Sequence, residues 1–181
     1  MKKTILLLAF IATAGFLFAQ KKTTTSATVS FDATTPKDAL PKADNKTVIG
    51  SIDTKTGDVA FEAAVKNFSF SNPRIQEHFN GAIWLNSDQF PKFTFTGKIE
   101  KSNKIKWAKD GTYKAKVNGD LTIKGITKKT KVEGTITVTG GKINVMTNFS
   151  VLLADYSISG QPAIEAGKVS KEPKITVSAE F

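Results

Sequence analysis

The sequence has no cysteine, one histidine, one arginine, and only two residues each of Met, Trp and Tyr. Without cysteine there can be no disulfide framework, thiolate metal site, cysteine nucleophile or lipidated N-terminal cysteine. The lone His78 leaves no histidine-based metal cluster, and Glu77-His78 lacks the second His of the zinc motif HExxH. No serine sits in a nucleophile-elbow context, and Gly140-Gly141 has the form of a hairpin turn, not a phosphate loop. The formal charge of +10 invites a nucleic-acid reading, but Arg74 is the sole arginine. Nucleic-acid readers rely on the bidentate arginine fork, so lysine alone is a poor match. Catalytic residue, metal and cofactor are therefore all read as none, and nucleic acid is excluded as a partner.

The N-terminus fixes the expected compartment. Met1-Lys2-Lys3 is a short basic start, 5–18 is almost wholly apolar, and Ala19 precedes the polar Gln20-Lys21-Lys22. This is the pattern of a secretory signal peptide over 1–19, with cleavage expected near Ala19. The apolar run falls short of the roughly 20 residues of a membrane-spanning helix, and no second run follows. The remainder, 20–181, is expected to form a single domain in the periplasm or outside the cell.

That remainder alternates with period two. Across 111–124 the apolar or small residues Tyr113, Ala115, Val117, Gly119, Leu121 and Ile123 oppose Lys114, Lys116, Asn118, Asp120 and Thr122. Such alternation predicts a strand with one buried and one wet face. Similar patterns predict strands over 27–32, 48–53, 59–66, 92–99, 127–139, 143–153 and 174–181, and a short one at Ile105 and Trp107. Glycines at 140–141 accept the positive φ of a hairpin turn, and 54–57 reads as another hairpin. Asn72-Pro73 supplies an N-cap and a first helical residue, so one short helix is expected over 73–80. Polar loops are expected over 36–46 and 159–171.

One-sided strands must hide their apolar faces in a sandwich or a closed barrel. A strand over 111–124 would run about 45 Å, which suits a tall, coiled barrel. The fold class expected is all-β, an eight-stranded antiparallel barrel of lipocalin type with one short helix. Eight strands leave an interior that side chains fill or that holds one elongated ligand.

Several phrases carry a family resemblance. They are Phe68-Ser69-Phe70, Ile75-Gln76-Glu77-His78-Phe79-Asn80, Phe90-Pro91-Lys92-Phe93-Thr94-Phe95-Thr96-Gly97-Lys98-Ile99, Asp110-Gly111-Thr112-Tyr113, and 117–128 with Gly119-Asp120-Leu121 and Gly125-Ile126-Thr127. Over 27–181 the chain resembles the YceI-like family, and in particular its shorter branch. Longer members carry an Arg-Asp pair where this chain has Gln76-Glu77-His78, and a His-rich opening strand that is absent here. The resemblance implies a secreted, lipocalin-like barrel that holds an apolar lipid such as a polyisoprenoid, for storage or transport in the cell envelope. It implies no enzymatic activity.

The candidate cavity lining is Phe61, Phe68, Phe70, Phe79, Trp84, Phe90, Phe93, Phe95, Trp107, Tyr113, Val117, Leu121, Phe149 and Val151. These side chains either fill the barrel or wall a ligand site. Apolar walls suit an isoprenoid, since each Å² of apolar surface removed from water contributes roughly 25 cal/mol. Arg74, Glu77 and His78 are candidates for the cavity mouth. The lysines read as a solvating coat, with association to anionic membrane surfaces as a weaker reading. Two other functions stay open: a small outer-membrane barrel with its apolar face outward, and an envelope stress-response factor or enzyme without bound lipid. Oligomeric state is open as well, a dimer included.

Overall fold

The computed structural model describes residues 21–181; the segment 1–19 that the sequence reads as a signal peptide lies outside the described residues. Nine strands form one antiparallel sheet: β1 (Lys21–Asp32), β2 (Lys42–Asp53), β3 (Asp58–Ala64), β4 (Ser69–Phe70), β5 (Lys92–Ile99), β6 (Gly111–Ile123), β7 (Ile126–Thr139), β8 (Lys142–Ser150) and β9 (Lys174–Glu180). Sequential neighbours pair around the sheet, and β1 pairs with both β2 and β9, which closes an eight-stranded barrel. The two-residue β4 pairs with the start of β2 and stands outside that wall count. The alternation read from the sequence thus becomes the inside and outside of a cylinder. On β7, Val132, Ile136 and Val138 are buried while Lys131, Glu133 and Thr139 are exposed.

The lysine-bearing face points outward. A membrane barrel carries its apolar band there, so this arrangement is the reverse of an outer-membrane barrel. Ion pairs such as Lys116–Glu133 at 2.7 Å and Lys129–Asp120 at 2.9 Å stud the outer wall. Both pairs are solvent-exposed and contribute little to stability.

Antiparallel strands place their connections alternately at two ends. One end, the turn end, holds the β2–β3 turn at 54–57, the loop 100–110, the Gly140-Gly141 turn, the start of β1 and Phe181. The helix end holds 33–41, 65–91, 124–125 and 151–173, including α1 (Pro73–Asn80) and α2 (Pro162–Glu165). Helix α1 forms where its local chemistry allows: Asn72 Oδ1 accepts from the Arg74 amide at 3.0 Å and Pro73 occupies the first turn. Its Phe79 is buried, whereas Arg74, Glu77 and His78 are exposed.

Five local expectations need correction. Ile105 and Trp107 lie on no strand; a 3₁₀ turn (Ser102–Lys104) precedes them, because no neighbouring strand offers their backbone a partner. Strand β2 starts at Lys42, inside the expected 36–46 loop, since Phe31↔Ala43 and Asp32↔Lys42 pairing satisfies a polar stretch. For the same reason β1 extends back to Lys21, against Asp53. The 159–171 segment contains α2, and β8 ends at Ser150 with a 3₁₀ turn (Leu153–Tyr156) beyond it.

Candidate functional site

The inward side chains do not fill the barrel. They leave a cavity of about 190 Å³ whose walls draw on both ends of the cylinder, from Ile52, Val59 and Phe181 to Phe79, Trp84 and Ile158. Voids left by ordinary core packing rarely exceed a water molecule, so this space is no packing defect. Its extent explains an otherwise odd pattern: Phe93, Phe95, Val117, Val145 and Val177 point inward yet remain only half-buried. They border open space, not another side chain.

The cavity floor at the helix end is aromatic. Phe79 from α1 packs 4.8 Å from Phe70, 5.6 Å from Phe31 and 5.7 Å from Phe68, ring centre to ring centre. Phe93 meets Phe68 at 5.8 Å. Tilted and edge-on contacts of this kind add to the burial of the rings themselves. Backbone bonds tie the floor down: Val65 N to Pro91 O at 2.9 Å, Leu85 N to Phe79 O at 3.3 Å and Ser170 N to Ala33 O at 2.9 Å. Beside it, Gln161 Nε2 donates to Ile83 O at 2.6 Å, joining the α1 and α2 regions.

The walls carry almost no polar surface. Thr94, Thr135 and Thr147 are the polar residues along them, and no titratable residue among the described ones lines the space. A group held there would find neither a charge partner nor a general acid or base. Among the described residues no cluster of three His, Asp or Glu side chains could hold a metal ion. Such a chamber is suited to taking apolar matter out of water.

Of the residues marked in the sequence, nine line the cavity: Phe61, Phe68, Phe79, Trp84, Phe93, Phe95, Val117, Leu121 and Val151. Phe70, Phe90, Trp107, Tyr113 and Phe149 lie outside the lining. Phe70 supports the floor from behind, Phe90 packs against Gly125, Phe149 packs on the main core, and Trp107 and Tyr113 pack near the turn end. Arg74, Glu77 and His78 stand on the solvent side of α1, away from the cavity. The sequence reading passed over aliphatic wall residues such as Ile52, Val59, Ile136, Val145, Ile175 and Val177. Their inward alternation was visible, and the preference for aromatic residues concealed them.

Comparison with known proteins agrees with this geometry. The family model described as the YceI-like domain matches residues 14–181. No curated protein sequence matches the chain. Among solved structures, BcnA of Burkholderia cenocepacia superposes with a TM-score of 0.72 at 17% identity, covering 86% of this chain and 96% of that one. A polyisoprenoid-binding domain from Saccharophagus degradans, implicated in plant cell wall breakdown, gives 0.72 at 13% identity, with 85% and 92% covered. The Campylobacter jejuni YceI protein gives 0.53 at 19% identity, with 75% and 80% covered. At these identities the likeness speaks for the fold.

Proposed function

The chain belongs to the YceI-like domain family, and from that premise we propose that it is a carrier or store for an elongated apolar lipid of polyisoprenoid type, not an enzyme. One observation carries the proposal: a cavity of about 190 Å³ runs between the ends of a closed barrel and offers a bound molecule almost no polar contact. A polar or charged ligand entering it would lose its hydration without replacement, at a cost of several kcal/mol. An apolar chain would instead gain roughly 25 cal/mol for each Å² it hides. The structural neighbour from Saccharophagus degradans, which is a polyisoprenoid-binding domain, supports the same ligand class.

We place the protein in the periplasm or outside the cell, after removal of the segment ending near Ala19; the basic start and apolar run support this. A polyisoprenoid carrier is useful in such a compartment, where water separates lipid surfaces. The decisive measurement is native mass spectrometry with organic extraction of protein purified from the cells that make it. A co-purifying isoprenoid is the expected result. An empty barrel that also ignores a long-chain prenol offered in detergent would overturn the proposal.

A further inference from the structure

We propose that the turn end of the barrel, with the lysine-rich loop 101–109 as its lid, docks on anionic lipid surfaces and is where the cavity is loaded. The proposal rests on the lipid-binding reading above and adds an orientation and an entrance to it.

Lysines crowd one loop of the turn end. Lys101, Lys104, Lys106 and Lys109 lie there, all exposed, with Lys21 and Lys55 exposed on neighbouring elements. None of these six forms an ion pair among the described residues. The nearby carboxylates are already engaged. Asp53 accepts the Lys55 and Thr56 amides at 2.8 and 3.0 Å, and Asp110 accepts the Gly140 amide at 2.9 Å. Asp58 pairs with Lys98 at 3.6 Å, Glu100 with Lys131 at 3.7 Å and Glu180 with Lys142 at 2.9 Å. At the helix end, by contrast, Asp32, Asp38, Asp44, Glu77, Asp155 and Glu165 are interspersed with the lysines. What sets the turn end apart is density: loop 101–109 carries four lysines and no carboxylate in nine residues, and none of the four is in an ion pair among the described residues.

Loop fastening differs in the same sense. Every backbone hydrogen bond of 101–109 among the described residues closes within the loop: Lys104 N to Lys101 O, Ile105 N to Ser102 O and Lys109 N to Lys106 O. Ile105 and Trp107 hold it down by packing on the apolar cluster that includes Ile52, Val59 and Ile99, which also wall the cavity. The helix-end floor is instead bound to the barrel by backbone bonds and stacked rings. Lifting the loop withdraws Ile105 and Trp107 from that cluster and breaks no ladder bond, so this end opens without loss of sheet pairing. Segments with few backbone bonds to their surroundings open first.

The loop chemistry also suits a bilayer, not a soluble anion. Trp107 is half-buried between exposed lysines. An indole settles at the headgroup level of a membrane, and juxtaposed lysines draw toward anionic lipid over a Debye length of about 8 Å. On contact, Trp107 can exchange its barrel contacts for lipid contacts, which uncovers the layer of Ile52, Val59 and Ile99 that closes the cavity at this end.

Two variants of equal charge change test this on residues 20–181, which contain the whole described barrel. One replaces Lys101, Lys104, Lys106 and Lys109 with Gln at the turn end. The other replaces Lys42, Lys128, Lys168 and Lys171 with Gln at the helix end. Binding to phosphatidylcholine vesicles with and without phosphatidylglycerol is measured by flotation, and uptake of a fluorescent prenol is followed from those vesicles and from neutral detergent. The expected result is at least tenfold weaker binding to anionic vesicles for the loop variant, matched by slower prenol uptake from them. Uptake from detergent should be unchanged, and the helix-end variant should resemble the parent in every assay. Equal losses in both variants, or no loss in the loop variant, would overturn the docking site. Weakened docking with undiminished vesicle uptake would overturn the entrance. A parent that takes up no prenol even from detergent would instead defeat the lipid-binding reading, while the flotation comparison still decides the docking surface.

Discussion

The ring of Phe95 lies against the Cα of Gly119: a Cβ added there would fall 2.6 Å from the Phe95 Cζ atom and 2.5 Å from the Thr96 carbonyl oxygen. Gly119 also faces Gly97 across the β5–β6 ladder, so two bare backbones meet in the wall. Glycine here lets an inward aromatic ring lie flat against the strand and keeps the lumen open.

Gly119→Ala is therefore expected to destabilise the barrel by about 1–3 kcal/mol, the usual range for overpacking a tight site. The carbonyl oxygen cannot yield as a side chain would. Urea unfolding followed by far-UV circular dichroism measures the change; a loss below about 0.5 kcal/mol would show that the wall relaxes freely.

Filling the lumen should separate stability from binding. Val145 points inward, lines the cavity and is only half-buried. Val145→Phe should raise the thermal midpoint by about 2–4 °C by occupying empty volume. It should also weaken prenol binding at least tenfold. A filled cavity with unaltered prenol binding would mean that the ligand sits elsewhere.

Asn45 is wholly buried on β2, where its Nδ2 donates to the Ala64 carbonyl at 2.9 Å and its Oδ1 accepts the Thr47 amide and hydroxyl, each at 2.9 Å. It stands where the β1–β2 register shifts between Ala27 and Val29, and replaces ladder partners that the irregularity removes. Asn45→Leu leaves those backbone groups unpaired and is expected to cost about 1–3 kcal/mol per stranded group. Hydrogen exchange should show faster opening at Thr47 before global unfolding. Exchange there at the parent rate would argue that water takes over the bonds.

Tyr156 is buried beneath the helix end. Burial pushes its phenol above the ordinary value of 10.0; neighbouring Asp155 adds to the rise and a hydrogen bond with Thr130 opposes it. A raised folded-state value means that the neutral phenol favours the folded chain. This contribution is complete below pH 10.0 and is lost as pH climbs through the raised value. Tyr156→Phe should therefore flatten the alkaline limb of a stability–pH curve relative to the parent. Identical limbs in the two proteins would show that lysine titration alone causes the loss.

The acid limb has its own source. Hydrogen bonds from the Thr34 hydroxyl and amide hold the Asp32 carboxyl below its ordinary 3.8. The stabilisation is present above that value and disappears as pH falls through the lower folded-state one. Asp32 is exposed, so the effect is small; Thr34→Val should shrink it further in acid-unfolding titrations.

Periodicity made most of the barrel legible before any coordinates. The alternation of Tyr113 to Ile123 and of Val132 to Val138 assigned inside and outside correctly, because one buried face leaves no freedom in register. Helix α1 was equally visible, since Asn72 and Pro73 act locally. What escaped depends on partners distant in sequence. Lys21 to Ser26 and Lys42 to Asn45 look like loop until β1 and β2 face each other, and Ile105 and Trp107 look like strand until nothing stands beside them. The lumen itself was undecidable from composition. The same Phe and Val residues could fill or wall a barrel, and only the three-dimensional spacing of Phe93, Val145 and Val177 shows that they wall it.

Barrel closure joins residues from opposite ends of the chain: Thr28 meets Ser178 and Phe31 meets Ile175. Until the last strand is available, β1 and β8 each lack one of their two neighbours, and the lumen is a trough open to water along its side. Folding governed by such long-range pairing is slow, in the range of milliseconds to seconds. The interval before closure is therefore the chain's most vulnerable one, because the apolar faces that will wall the lumen are still exposed to any other apolar surface they meet.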